Sequence, residues 1–136
     1  MNRPLLIGYQ LVTGLSDTAT GALLLIAPEL TLRLMHLEVP SDALIYISFV
    51  GAFVMSVGLA CLYGALVAYR GGCRTKIEIV WLLTALTRAS VAVFLIDQVL
   101  SSTLSGGWLP VALFDAACVL IQAVGLRKGW LARAAR

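Results

Sequence analysis

Long apolar runs separated by short polar breaks dominate the hydropathy pattern of this chain. A bilayer-spanning helix needs about 20 mostly apolar residues, and four runs are long enough: Pro4–Ala27, Leu44–Tyr69, Ile77–Leu100 and Trp108–Leu126. Because the lipid interior cannot form hydrogen bonds with backbone N–H and C=O groups, each run is predicted to be helical. The pattern therefore predicts an all-α integral membrane protein, a four-helix bundle forming one domain over residues 1–136.

Turn and capping residues stand at the breaks between these runs. Pro28 ends the first run, since proline cannot continue a helix. Pro40, Ser41 and Asp42 supply a break and an N-cap before the second run. The glycine pairs at 71–72 and 106–107 separate the remaining runs. The first run contains polar residues and no clear cleavage site, so we expect it to be retained and not removed as a signal peptide.

The connection between the first two runs has a helical pattern of its own. Leu30, Leu34 and Leu37 recur at helical spacing, which predicts a short helix in the outer membrane interface, between positions 28 and 41. His36 has no second histidine or cysteine near it in the sequence, so a metal site is not expected.

Composition narrows the class of protein further. Apolar residues make up 60% of the chain and charged residues 12%, against about 45–50% and about 25% in soluble domains. These values exclude a soluble globule, a disordered tail, a collagen-like repeat and a disulfide-stapled scaffold. The net charge is +3, but the basic residues lie at the ends of apolar runs without interleaved aromatics, which excludes nucleic acid as a partner. No haem, nucleotide or metal motif is present, so no cofactor is predicted.

The distribution of basic residues predicts the orientation in the membrane. Cytoplasmic loops are enriched in Lys and Arg. With four crossings, eight of the ten basic residues share one side, namely Arg3, Arg70, Arg74, Lys76, Arg127, Lys128, Arg133 and Arg136. Only Arg33 lies on the other side, and Arg88 lies within a span. Both termini are therefore predicted to be cytoplasmic.

Three charged residues occur deep within the apolar runs: Asp17, Arg88 and Asp115. At 1.5 Å per residue they lie about 15, 18 and 11 Å from the outer ends of their runs. Unpaired, they would together disfavour insertion by roughly 8–10 kcal/mol. We therefore predict that they form a cluster facing the interior of the bundle, which is the candidate functional site.

Polar neighbours accompany these charges along the same helix faces. Residues seven apart share a face, as do Gln10 and Asp17 on the first run and Asp115 and Gln122 on the last. Thr13 and Thr84 lie four positions before Asp17 and Arg88. Two interpretations of the cluster remain open: it fixes helix register, or it is a proton or substrate site.

Small residues recur every fourth position on the first two runs. They are Gly14, Thr18 and Ala22 on the first run and Ala52, Ser56, Ala60 and Gly64 on the second. Such ladders let helices approach closely in lipid. They predict either packing within the bundle or the interface of a homodimer.

The first half of the chain resembles known membrane proteins. The segments at 14–30, Gly-Leu-Ser-Asp-Thr-Ala-Thr-Gly followed by an apolar run and Ala-Pro-Glu-Leu, and at 49–59, with paired glycines, are similar to the first two helices of small bacterial DUF4345-type and DoxX-like proteins. This resemblance implies a four-helix bundle in the bacterial inner membrane and assigns no activity. The layout also resembles small multidrug-resistance transporters, with Asp17 in place of their glutamate.

Three functions are consistent with this sequence. Minimal loops and the lack of a nucleophile–base pair or a metal-ligand set favour a non-catalytic accessory or scaffold subunit, with other membrane subunits or a second copy as partners. The alternative is a proton-coupled carrier of a small lipophilic compound that uses Asp17 and Asp115. A third is a membrane enzyme acting on a lipid or terpenoid, in which a buried carboxyl donates a proton. No catalytic residue is assigned.

Overall fold

The computed structural model describes residues 2–131, which form helices and turns and contain no strand. The α-helices are α1 (Arg3–Ile26), α2 (Pro28–Leu34), α3 (Leu44–Tyr69), α4 (Arg74–Leu100) and α5 (Leu109–Arg127). Short 3-10 turns precede α3 and α5, at Ser41–Ala43 and Gly106–Trp108. The all-helical fold is confirmed, and so is the short helix after the first apolar run.

Three helical segments in residues 2–131 are long and apolar enough to cross a membrane: Ser41–Tyr69, Arg74–Leu100 and Gly106–Arg127. They indicate a membrane protein. Helix α1, with 24 residues, has the length of a span but not the hydropathy. Its hydropathy is lowered by polar residues along its length, namely Gln10, Thr13, Ser16, Asp17, Thr18 and Thr20.

The helices associate as two pairs, α1 with α3 and α4 with α5. Glycines bring the backbones of the first pair into direct contact. A Cβ added to Gly51 of α3 would lie 2.9 Å from the carbonyl oxygen of Gly21 on α1, and one added to Gly14 would lie 3.0 Å from that of Gly58. Contact of this kind stabilises helix pairs in lipid through close packing.

This contact repeats every seven residues, whereas the sequence ladder on α3 repeats every four. Gly51 and Gly58 face α1, whereas Ser56 is exposed and donates its hydroxyl to the carbonyl of Phe53 in its own helix. A seven-residue repeat stays on the same side of two helices that cross at a shallow left-handed angle, whereas a four-residue repeat drifts around the helix. The internal packing interpretation thus applies to Gly14 and Thr18 of α1. Helix α3 contacts α1 through Gly51 and Gly58 and, from its own ladder, through Gly64, which lies against Gln10.

Three helices end in the same type of tight turn, which reverses the chain direction. The second residue after each helix adopts positive φ: His36 (55°), Gly71 (66°) and Ser102 (59°). In each turn the next backbone N–H donates to a carbonyl five positions earlier, as from Leu37 to Leu32 at 2.9 Å. Glycine is the usual residue at this position, and here His36 and Ser102 take the same role.

Apolar side chains fill one end of the molecule, which we call the core end. The buried residues there are Leu6, Val67, Ala68, Ile77, Trp81 and Leu131. Arg3 closes the terminus of α3 by donating from Nε to the Ala68 carbonyl at 3.0 Å and from Nη2 to that of Tyr69 at 2.6 Å. Arg133 and Arg136, counted in the charge asymmetry, lie outside the described residues. The opposite end, which contains α2 and the α4–α5 turn, is called the α2 end.

Candidate functional site

The three charged residues within the apolar runs form one ion cluster, which we call the trio. The guanidinium of Arg88 on α4 donates from Nη1 to Oδ1 of Asp115 on α5 at 2.5 Å. Its Nη2 donates to Oδ2 of Asp17 on α1. Residue exposure is 3% for Arg88 and 8% for each aspartate. The trio therefore joins three helices through one buried cation.

The trio carries an excess negative charge. Two carboxylates share one guanidinium, so the fully ionised cluster has a net charge of −1. Arg88 also packs over the ring of Phe114, with its central carbon 5.3 Å from the ring centroid. Because an uncompensated charge is costly in low-dielectric surroundings, the trio is suited to bind a proton or a small cation.

Local sequence explains why these side chains face inward. On α5, Ala112, Asp115, Cys118 and Gln122 are buried at spacings of three and four residues, as expected for one helix face. On α4 the buried set is Ile77, Trp81, Thr84, Arg88, Ala92 and Leu95. Most of the residues between them are apolar, and many are exposed. Each charge therefore belongs to the one stripe of its helix that contacts other helices.

A cavity of about 840 Å³ extends from the trio toward the α2 end. The trio forms its polar floor, and its walls are mainly apolar and aromatic: Leu24, Leu32, Met35, Ile47, Val50, Phe53, Val54, Val57, Val91, Phe94, Leu95, Leu104, Trp108, Val111 and Phe114. Hydroxyl groups of Ser16, Thr20, Thr87 and Ser90 also line it. The volume falls within the range of about 300–1,000 Å³ typical of small-molecule sites.

The cavity is covered at the α2 end and open at its side. Leu32 and Met35, from α2 and its end, lie over it. A Cβ on Gly107 would lie 2.8 Å from a methyl of Leu37, so the α4–α5 turn packs against the chain that follows α2. Two wall residues, Phe53 on α3 and Phe94 on α4, are 56% and 58% exposed. The cavity therefore communicates with the surroundings between α3 and α4.

The four polar residues predicted to support the trio are all buried, but they lie on its core-end side and not in the cavity. Gln122 donates from Nε2 to the hydroxyl of Thr84 at 2.8 Å, and that hydroxyl donates to the Val80 carbonyl at 2.7 Å. Thr13 donates to the Tyr9 carbonyl at 2.9 Å. Nη1 and Nη2 of Arg88 donate within the trio and not to these four residues.

Sequence reasoning did not predict the cavity or its aromatic walls. Phe53 and Phe94 have the apolar character of any lipid-facing residue, and nothing in their spacing distinguishes a cavity wall. The hydroxyls of Thr87 and Ser90, next to Arg88 in an otherwise apolar run, are the signal that could have indicated a polar lining on α4.

Comparison of the chain with protein-family models, with curated proteins and with solved structures found no match.

Proposed function

We propose that this protein is a membrane carrier that binds a small lipophilic cation in the cavity and exchanges it for a proton at the trio. The observation that carries this proposal is an apolar cavity of about 840 Å³ whose floor is a buried cluster with an excess carboxylate. Apolar walls accept the hydrocarbon part of such a compound. The carboxylates of Asp17 and Asp115 accept its charge, and Phe53, Phe94 and Trp108 offer aromatic faces to a cation.

Charge balance explains why binding would be coupled to protons. With one carboxyl protonated the trio is neutral, and with a monovalent cation beside both carboxylates the site is again neutral. The state with neither is disfavoured in a membrane interior. The site therefore holds one proton or one monocation, and arrival of either favours release of the other.

The proposal includes α1 as a fourth membrane span. Its polar residues Gln10, Thr13 and Asp17 are buried against other helices, while its exposed large side chains after Arg3, the first residue of the helix, are apolar. These exposed side chains are Leu5, Leu11, Val12, Leu15, Leu23 and Ile26. Lipid would contact only this outer face, so the low overall hydropathy of α1 does not prevent it from spanning the bilayer. A four-helix membrane bundle follows, with α2 in the outer interface.

The same proposal places the core end and both termini in the cytoplasm of a bacterial cell. Arg3, Arg70, Arg74, Lys76 and Arg127 belong to the core-end side, which fits the enrichment of basic residues in cytoplasmic segments. The bacterial inner membrane rests on the resemblance of the first two helices to small bacterial membrane proteins.

Cys73 offers a direct test of this orientation. It is exposed in the α3–α4 turn, whereas Cys61 and Cys118 are buried. Hydrogen bonding by the Thr75 side chain lowers the pKa of the Cys73 thiol, which favours the reactive thiolate. We expect a membrane-impermeant maleimide to label Cys73 in inside-out vesicles and to leave it unlabelled in spheroplasts.

A matched control uses the opposite turn of the same helix. Ser102, exposed after α4, becomes the reporter in a chain with Ser102→Cys and Cys73→Ser, and its labelling should show the reverse pattern. Labelling of Cys73 in spheroplasts would contradict the orientation. Labelling of both positions from one side would contradict the crossing by α4.

Binding of tetraphenylphosphonium, a lipophilic monocation, tests the proposed activity. The purified protein is expected to bind it more tightly at mildly alkaline than at mildly acidic pH, because protons compete for the same carboxylates. If binding of one cation displaces one proton, the dissociation constant changes by up to about tenfold per pH unit. Asp115→Asn should weaken binding by at least about tenfold, or 1.4 kcal/mol, and remove most of the pH dependence. Equilibrium dialysis measures both.

Two controls make this experiment specific. Asp115→Asn leaves a neutral pair of Asp17 and Arg88, so the variant should fold, which size-exclusion chromatography checks. Asp97→Asn changes an exposed acid on α4 and should leave binding unchanged. Equal affinity for uncharged triphenylphosphine would contradict a cation site, as would unchanged binding by the Asp115 variant.

The accessory-subunit and lipid-enzyme interpretations stay predictions. A subunit interface would use the exposed apolar helix faces. Contact with the surrounding lipid also explains why these faces are apolar. An enzyme would need a base and an orienting group beside the trio. Among the described residues, the cavity offers hydroxyls and one amide for these roles in addition to the trio.

A further inference from the structure

A second layer of buried polar residues lies on the core-end side of the trio. Each trio residue has a polar partner seven positions away in the direction of the core end: Asp17 and Gln10 on α1, Arg88 and Trp81 on α4, and Asp115 and Gln122 on α5. Seven residues make about two helical turns, or about 10.5 Å. Gln10, Trp81 and Gln122, which we call the second layer, are each 0% exposed.

Most polar atoms of the second layer have no hydrogen-bond partner within residues 2–131. These atoms are Nε2 and Oε1 of Gln10, Nε1 of Trp81 and Oε1 of Gln122. Gln122 Nε2, in contrast, donates to Thr84. A buried polar group without a partner costs about 1–3 kcal/mol, so this layer calls for a ligand that satisfies donors and acceptors together.

The chemistry of the layer identifies that ligand as water. Two amide carbonyl oxygens accept hydrogen bonds, while one amide nitrogen and one indole nitrogen donate them, and none of the side chains carries a charge. Water donates and accepts about equally, and buried water typically makes about three hydrogen bonds to such groups. A metal ion or an anion would leave half of these groups unsatisfied.

Glycine residues make room for the side chains of the layer, and apolar residues close it on the core-end side. A Cβ on Gly64 would lie 3.2 Å from the amide carbon of Gln10, and a Cβ on Gly125 would lie in contact with the ring of Trp81. One turn nearer the core end, Leu6 and Ile77 are 1% and 3% exposed. The layer is thus enclosed between the trio and the apolar core.

We propose that the second layer binds a cluster of water molecules that forms the proton path between the trio and the core end. The hydroxyls of Thr13 and Thr84 lie along the same helix faces between the two layers. The cavity would bind the lipophilic ligand on one side of the trio. The water cluster would carry the proton on the other side. The proton path rests on the proposed exchange function, whereas the hydration of the layer does not.

Radiolytic hydroxyl labelling of the purified, ligand-free protein tests the hydration. Radicals formed from bound water oxidise adjacent side chains even where bulk solvent has no access. Trp81 is 0% exposed, so we expect oxidation of its indole only if water is bound beside it. The double variant Gln10→Leu with Gln122→Leu should lose most of this oxidation. Half-buried Trp108 serves as the internal reference and should be unaffected.

The two glutamine substitutions should leave the fold intact, because they replace largely unpartnered polar atoms by apolar groups of similar size. Gln98→Leu, at the α2 end, is the matched control and should leave Trp81 oxidation unchanged. Absence of Trp81 oxidation in the parent protein would overturn the proposal and indicate a dry layer with direct amide–amide bonds. Unchanged oxidation in the double variant would overturn it as well.

Proton transfer in liposomes separates this inference from the proposed function. If both hold, the double variant should bind tetraphenylphosphonium normally and lose most of the ligand-driven proton flux. Labelled Trp81 without any ligand binding would contradict the carrier and leave the hydrated layer in place. Normal flux in the double variant would contradict the proton path.

Discussion

Replacement of Arg88 by methionine is expected to abolish the folded protein in mild detergent at temperatures where the parent chain is stable. The change leaves Asp17 and Asp115, both 8% exposed, without the guanidinium that contacts each of them. Removing one partner of a buried ion pair typically costs about 3–5 kcal/mol, and here one substitution removes the partner of two carboxylates. Against a typical total stability of about 5–15 kcal/mol, this loss is large. Thermal unfolding followed by circular dichroism measures it.

A triple variant distinguishes charge from packing as the source of this effect. Asp17→Leu, Arg88→Met and Asp115→Leu together remove all three charges, keep the branching at Cγ of both aspartates and place a long apolar side chain at position 88. Because an apolar replacement of a whole buried ion cluster is often neutral or stabilising, the triple variant should recover most of the stability. A triple variant as unstable as the single one would show that the Arg88 side chain contributes through packing and not through charge.

Lysine at position 88 should give an intermediate result. The ammonium group keeps the charge, but it lacks the planar fork with which Arg88 reaches Asp115 from Nη1 and Asp17 from Nη2. We expect the thermal unfolding midpoint of Arg88→Lys to lie between those of the parent protein and of Arg88→Met. Parent-like stability of Arg88→Lys would mean that the fork geometry contributes nothing.

The trio could be predicted from the sequence because a membrane leaves charged side chains few alternatives. Asp17, Arg88 and Asp115 are far from the ends of apolar runs, where lipid exposure is costly, and a long arginine can reach two neighbours. Depth along the chain and charge sign were therefore sufficient to place them together. Their role follows only from the cavity above them, which is a property of the assembled helices.

Helix positions were also largely predictable, and the differences have a physical reason. The predicted second run and α3 share the bounds Leu44–Tyr69. Helix α4, however, starts at Arg74 and not at Ile77. Hydropathy locates the part of a helix that matches the hydrocarbon, whereas the charged first turn, with Arg74 donating to Glu78 at 2.6 Å, extends the helix beyond it.

The pairing of helices and the cavity could not be predicted in the same way. Small residues spaced four apart favoured internal packing but left a homodimer interface open, and α3 presents both Gly51 and Ser56 within a few residues. Which of them faces α1 depends on the crossing angle of the two helices, which hydropathy does not encode. Likewise, the cavity is lined by residues from every α-helix, so it exists only once the helices are assembled.

The backbone contact between α1 and α3 predicts that alanine destabilises the protein at the glycines that form it and not at a glycine outside it. Gly21→Ala would place a Cβ 2.6 Å from the carbonyl oxygen of Gly51, and neither backbone can yield without separating the helices. Overpacking of this kind costs about 1–3 kcal/mol, so the unfolding midpoint in detergent should fall. Gly58→Ala, whose Cβ would lie 2.8 Å from the Gly14 carbonyl oxygen, should act in the same direction.

Gly8→Ala is the matched control, because an added Cβ at that position meets no atom within 4 Å. Alanine favours a helix over glycine by about 1 kcal/mol, so this variant should unfold at an equal or higher temperature than the parent. Both variants gain the same helix propensity, so the difference between their unfolding midpoints measures the effect of the backbone contact alone. A destabilisation shared equally by Gly8→Ala and Gly21→Ala would mean that α1 and α3 do not meet at Gly21, and the helix pairing that positions Asp17 beneath the cavity would be wrong.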